Sequence, residues 1–182
     1  MGYPFEQAKY FSQGRFGRKV NQIFIHTMET PETKKRAWNV LLWFKSPRSP
    51  QASAHFMVDA TSIFQSVKLT DTAWAVGQWD RNCSSISIET AGEASQTPAQ
   101  WADAYSQAEI ANTAHLVALM CKQFDIPPVK LTPLQVFLRK PGIGGHWDVT
   151  LGYKIRGGHT DPGRFYPWEH LIALVREELS KL

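Results

Sequence analysis

The sequence predicts an α/β domain, and three observations carry that prediction. Short β-rich runs at 22–26, 52–58, 62–67 and 84–89 alternate with longer segments whose apolar residues recur at helical spacing. Apolar residues make up 43% of the 182 and charged residues 20%, enough to bury a core and too little charge for a disordered chain. No apolar run approaches the roughly 20 residues that a spanning helix needs, so no membrane insertion is expected. A chain of this length is expected to form one domain, 1–182.

Residues 1–19 are mixed and basic, with Gly14, Arg15, Gly17, Arg18 and Lys19, and read as an irregular lead-in. In Gln22-Ile-Phe-Ile-His26, alternation puts Ile23 and Ile25 on one face of a strand and Phe24 and His26 on the other. His26 ends that strand, where an α/β fold is rigid behind and open ahead. Thr30-Pro31-Glu32 has the features of a helix start: a hydroxyl cap, proline at the first helical position and an acid at the positive end of the dipole. Ala37, Leu41 and Phe44 continue it as an apolar stripe, and Ser46-Pro47 stops it. The runs 52–58 and 62–67 form a hairpin turning at Asp59-Ala60-Thr61, with His55 on one face beside Ser53 and Met57. Trp74, near Gly77, can serve as a core plug or as the wall of a groove.

Ser84-Ser-Ile-Ser-Ile-Glu89 alternates strictly, so Ile86 and Ile88 face a core while Ser85, Ser87 and Glu89 share the opposite face. Thr97-Pro-Ala-Gln100 is a capping box that opens the longest helix, to about Phe124, with Ile110, Ala114, Val117 and Cys121 on its buried side. His115 reads as a packing or surface residue. Residues 129–141 read as a connection with an apolar centre from Leu134 to Leu138. A last helix opens at Pro167 and buries Leu171, Ile172 and Val175, leaving His170 off any site.

The segment between is the chemically richest. Gly142-Ile-Gly-Gly-His146-Trp-Asp148 and Gly158-His159-Thr-Asp161-Pro-Gly163 crowd three candidate ligands, His146, His159 and Asp161, into a stretch with no regular helix or strand pattern. Catalytic zinc sites take three protein ligands, commonly His with a carboxylate, and leave a fourth position open. His26, His146 and Asp161 would supply such a set, and Glu89, projecting from a rigid strand, would be a base beside it. Cys83 and Cys121 stand apart without a partner motif, so neither a disulfide framework nor a cysteine metal site is indicated. The formal charge of +4 is spread along the chain, which suits approach to a polyanion but not nucleic-acid readout.

Ile25-His26-Thr27, Ala52-Ser-Ala-His55-Phe, Ala73-Trp74, Ser85-Ile-Ser-Ile-Glu89, Gly145-His146-Trp-Asp148, Thr160-Asp161-Pro-Gly163 and Phe165-Tyr-Pro-Trp168 follow in an order that resembles the zinc N-acetylmuramoyl-L-alanine amidases. The resemblance is to the type 2 amidase and peptidoglycan-recognition-protein family, which includes many phage endolysins, and it spans about residues 20–175. It implies a central mixed β-sheet flanked by helices, and hydrolysis of the amide joining N-acetylmuramic acid to L-alanine in peptidoglycan. It implies one zinc ion per chain on His26, His146 and Asp161, a catalytic carboxylate at Glu89, an oxyanion donor at His159, and substrate contacts at Thr27, His55 and Trp74. Three positions depart from the pattern: His159 stands where many relatives carry Lys, Ala75 where some carry a groove His, and Asp59-Ala60-Thr61 where an Asp-Gly turn is common. The His159 departure leaves open whether that side chain is itself a ligand.

The expected partner is bacterial peptidoglycan, with no nucleic acid, and the expected state is a monomer. The first residues, Met1-Gly-Tyr-Pro-Phe, lack a basic n-region and apolar stretch, which points to synthesis in the cytoplasm and holin-type release to the wall. A recycling amidase, a non-catalytic wall-binding module and a zinc peptidase acting on the stem peptide are the alternatives.

Overall fold

The computed structural model describes residues 2–182. In chain order its elements are β1 (Phe11–Ser12), β2 (Gln22–Thr27), α1 (Arg36–Lys45), β3 (Phe56–Val58), β4 (Ile63–Gln65), β5 (Thr72–Ala73) and α2 (Trp79–Cys83). They continue with β6 (Ser85–Thr90), α3 (Pro98–Trp101), α4 (Ala104–Phe124), α5 (Pro133–Phe137), β7 (Gly142–Gly145), α6 (His146–Gly152) and α7 (Trp168–Lys181). The main sheet has the order β4-β3-β6-β2-β7, in which β3, β6, β2 and β7 run parallel and β4 is antiparallel to β3. It is the mixed sheet flanked by helices that the resemblance implied. β1 and β5 form a separate antiparallel pair.

The two faces of the sheet follow from the alternation. Ile23, Ile25, Ile86, Ile88, Phe56 and Val58 point to one side, where α4 and α7 cover them with Ile110, Ala114, Val117, Leu171 and Val175. Each of the larger side chains among them contributes about 1.5–3 kcal/mol relative to exposure. Met57 points the other way, into a second cluster with Ala37, Leu41 and Phe44 of α1. Phe24 joins Val136 and Val149 of α5 and α6 in a third. With both faces covered, the free edges of the architecture are the strand ends.

Several expectations are corrected. α1 begins at Arg36, not Thr30, because Thr30 exchanges backbone hydrogen bonds with Gly92 and stays extended. The cap comes instead from Asp59 in the hairpin turn, whose Oδ2 accepts from Ala37 N at 3.0 Å. The long helix is broken in two: the Thr97–Gln100 capping box opens α3 as expected, and Asp103 caps α4 afresh by accepting from Ser106 N. The connection at 129–141 contains α5, opened by a second capping box of Thr132 and Gln135. The glycine-rich segment is regular after all, strand β7 running straight into α6. Of the lead-in, Arg15 is half-buried and donates to the carbonyls of Leu69 and Ser85, with its Nη2 2.9 Å from His55 Nε2. Cys83 and Cys121 are free and buried.

Candidate metal centre and cleft

The site is assembled by strand register. β2 and β6 are parallel neighbours, and His26 and Glu89 are directly paired across them. β7 is the next strand on the other side, with Gly145 paired to Ile25, so His146 emerges one residue beyond the same edge. Three polar side chains far apart in sequence are thereby carried to the carboxyl ends of three adjacent strands. Asp161 completes the group from the loop after α6. Its carbonyl accepts from Trp147 N at 2.8 Å, which ties the loop to the start of that helix.

Two glycines let the loop close. A Cβ at Gly145 would stand 2.6 Å from Pro162 Cδ, and one at Gly163, where φ is +95°, would stand 2.1 Å from the Ala94 carbonyl oxygen. The segment Asp161-Pro162-Gly163 thus fits between the end of β7 and the loop at 93–96 only because both positions lack a side chain. Asp148 reaches back to accept from Gly145 N at 2.7 Å and pairs with Lys130 at 2.7 Å. Its work is to cap α6, holding His146 at the first turn.

His26, His146 and Asp161 are all buried, and one donor atom from each lies within 4.8 Å of the others. His26 Nδ1 is 3.1 Å from Asp161 Oδ2, and His146 Nδ1 is 3.3 Å from Asp161 Oδ1. Ligands about 2.0–2.1 Å from a tetrahedral zinc stand roughly 3.4 Å apart, so the two imidazole–carboxylate spacings, one to each oxygen of Asp161, suit such an ion. Asp161 Oδ1 provides a second test. It lies near two imidazoles but is not aligned with a donor, so a buried carboxylate oxygen is left without a hydrogen bond. Burial opposes its charge, yet the imidazoles of His146, His159 and His26 hold the carboxyl far below the usual carboxylate range. An ionised carboxylate facing nitrogen donors can hold a metal ion.

Glu89 is half-buried at the same edge. Burial pushes its carboxyl up to about 7, against the pull of His26 and with the push of Asp161. His159 differs from the other two imidazoles: its side chain is 70% exposed, its Nδ1 is 3.5 Å from Asp161 Oδ1, and its ring stacks on His146 with centroids 4.3 Å apart. The cation form of His159 is favoured by Asp161 despite partial burial.

These groups floor an open cleft of about 540 Å³. Thr27 and Trp74 line it, as do Arg36, Asn39 and Trp43 from α1. Trp74 is held as a wall by its Nε1 donating to Ser12 Oγ at 2.9 Å and by Tyr10 stacked on it. His55 is not among the lining residues, which corrects its expected place in the groove. It is wholly buried, accepts from Ser87 N at its Nδ1, and is held neutral by burial and by Arg15. The alternating pattern of the neighbouring run could not show this, because His55 precedes β3 and turns inward to bond the backbone of β6. The α1 wall was also missed; the register of its exposed face was available in the sequence, but the loop that aims it was not.

Fold and site together define an α/β protein with two imidazoles and a carboxylate clustered at the floor of a cleft, in a pattern suited to a metal ion. The family model described as N-acetylmuramoyl-L-alanine amidase matches residues 16–164, and the chain belongs to that family. Membership supports an amidase activity on peptidoglycan.

Solved structures show the same fold. The Staphylococcus aureus hydrolase AmiA in complex with its ligand is similar at a TM-score of 0.69 and 18% identity, covering 98% of this chain and 83% of that one. An AmpD derivative is similar at 0.69 and 16%, covering 95% and 94%. A mutant endolysin from Bacillus subtilis is similar at 0.63 and 16%, covering 96% and 99%. No curated protein matches the chain in sequence. Among the described residues, no helix is long and apolar enough to cross a membrane.

Proposed function

We propose that the protein hydrolyses the amide between N-acetylmuramic acid and L-alanine in bacterial peptidoglycan, using one zinc ion held by His26, His146 and Asp161. The observation that carries the proposal is the meeting of these three buried donors with Glu89 at one sheet edge, inside a cleft. Zinc in such a donor set acts as a Lewis acid, polarising the scissile carbonyl and acidifying water toward a pKa of about 7.

The chain's own residues do the rest. Glu89, fixed by its pairing with His26, takes the proton of the attacking water and delivers it to the leaving nitrogen, releasing the free amine of L-alanine. Burial of Glu89 favours its protonated form, which suits the delivery of that proton. His159, at the exposed rim, donates a hydrogen bond to the oxygen that gains charge as the carbonyl is attacked. Its exposure and its stacking on His146 favour this role over that of a fourth ligand. Thr27 and the braced Trp74 hold substrate against the cleft.

The setting we propose is a phage or prophage endolysin, acting as a monomer on the wall after holin-type release. The formal charge of +4 suits an anionic wall.

Purified walls incubated with the wild type are expected to yield new L-alanine amino termini. Glu89→Ala should keep its zinc and lose activity by about 100- to 10,000-fold. His146→Ala should lose both zinc and activity. His159→Ala should keep zinc and lose about 100- to 1,000-fold in turnover. New amino termini on other residues would mark a stem peptidase, zinc-free wall binding without cleavage would mark a binding module, and a strong preference for soluble muropeptides over walls would mark a recycling enzyme.

A further inference from the structure

α5 turns its apolar side outward. Leu134, Phe137 and Leu138 follow the i, i+3, i+4 spacing of a stripe that helices normally bury. Here they are 64%, 51% and 55% exposed, and Val136 alone in the helix is buried. α6 packs against this helix and adds Leu151, also 51% exposed, while Tyr153 just beyond it meets Phe137 edge-on with ring centroids 5.4 Å apart. Folding of the domain gives no reason for four large apolar side chains to stand together in water.

The surroundings of this patch are cationic. In the whole stretch 126–160 the sole acid is Asp148, and Lys130 already neutralises it at 2.7 Å. Arg139 and Lys140 follow the α5 stripe directly, and Lys154 and Arg156 follow Leu151; all four are exposed. Arg139 reaches Asp80 at 3.2 Å, but that carboxylate also serves Arg18 and Arg81, so it leaves the region positive. The same contact joins the patch to α2, where Trp79 stands 50% exposed against Phe16. Aliphatic side chains ringed by cations, with an indole at the margin, form the chemistry of a surface that rests in a charged headgroup layer.

We propose that this face adsorbs to an anionic lipid surface. Leu134, Phe137, Leu138 and Leu151 seat among the headgroups, and Lys140, Lys154 and Arg156 are held by lipid charge. A soluble polyanion would answer the cations and leave the leucines in water; a zwitterionic surface would take the leucines and leave the cations uncompensated. Adsorption of this kind lies in the plane of the interface and requires no spanning helix. None of these seven residues lines the cleft, so adsorption and amide hydrolysis are separable.

The test is co-sedimentation of the full chain with vesicles of phosphatidylglycerol and phosphatidylethanolamine, beside vesicles of phosphatidylcholine alone. Binding is expected to the anionic vesicles only, and to be released by high salt. The triple variant Lys140→Gln, Lys154→Gln, Arg156→Gln should partition on the order of 100-fold more weakly, since each surface cation contributes several-fold. The double variant Leu134→Ser, Phe137→Ser should also lose vesicle binding, and both should cleave a soluble wall fragment, a muropeptide, at the wild-type rate. No vesicle binding, equal binding to phosphatidylcholine, or binding to soluble polyphosphate that matches the vesicles and ignores the leucine change would each overturn the proposal. So would a dimer, seen by sedimentation velocity, that the Leu134→Ser, Phe137→Ser variant dissolves, because the patch would then belong to a second copy.

Discussion

Replacing Gly145 with Ala tests how far the seating of the Asp161 loop controls the site. Gly145 has φ −104°, which alanine adopts freely, so the substitution acts through its methyl group alone. That methyl would stand 2.6 Å from Pro162 Cδ and 3.2 Å from Trp168 Cζ2. Carbon atoms rest at roughly 3.5–4.0 Å, so Pro162 must retreat by about 1 Å. Overpacking of this size costs about 1–3 kcal/mol, or roughly 2–12 °C in melting temperature for a domain of this length. Asp161 immediately precedes Pro162, and a displacement of about 1 Å at a reacting centre costs on the order of 100-fold in rate. We therefore expect Gly145→Ala to remain folded by circular dichroism, to give up zinc to a competing chelator more readily, and to turn over wall substrate about 100-fold more slowly. Turnover within twofold of wild type at unchanged zinc affinity would refute the claim that this contact positions the carboxylate.

Three further outcomes follow from other parts of the structure. Glu109 is wholly buried on α4 with both carboxyl oxygens unpartnered among the described residues, and burial, with Glu32 and Asp59 nearby, raises its pKa well above 4.5. The native state therefore binds this proton more tightly than the unfolded chain, so its stabilising effect is full below about 4.5 and is lost as pH rises through the folded value. Glu109→Gln should flatten the fall in melting temperature between pH 5 and 8 and leave the variant at least as stable at neutrality; parallel melting curves would contradict this. Arg15→Ala should destabilise the fold by roughly 2–4 kcal/mol in urea titration, because it strips a charged donor from the carbonyls of Leu69 and Ser85. Removing bound metal with a chelator should lower the melting temperature by roughly 8–16 °C if zinc stands at about 1,000 times its dissociation constant, and Asp161→Ala should melt at one temperature with or without chelator.

The features legible in the sequence were those fixed by local pattern. Alternation in 22–26 and 84–89 assigned Ile23, Ile25, Ile86 and Ile88 to the core and His26 and Glu89 to the other face, as the structure has them. What pattern could not supply was competition for the same backbone groups. Thr30-Pro31-Glu32 has every local feature of a helix start, yet a bridge to Gly92 claims its hydrogen bonds and Asp59 caps the helix six residues later. His55 looked like its strand neighbours until its ring was found bonded to the chain of β6. Gly142–Gly145 looked irregular because glycine carries no strand propensity; it is a strand because neighbouring β2 supplies the partners, and its glycines answer to close neighbours, Leu131 at Gly142, Phe24 at Gly144 and Pro162 at Gly145. One miss had a visible signal: Thr132-Pro-Leu-Gln135 repeats the capping arrangement of Thr97-Pro-Ala-Gln100.

The direct pairing of His26 with Glu89 has a consequence for how this protein can change. Because side chains alternate along a strand, sliding β6 by one residue against β2 would send Glu89 to the opposite side of the sheet, beneath α4. The distance between Glu89 and His26 is therefore guaranteed by main-chain hydrogen bonding, while the reach and shape of the surrounding walls are set by segments outside the ladder. Lengthening or recolouring those walls can redirect which polymer enters, and the alignment of the two groups is untouched.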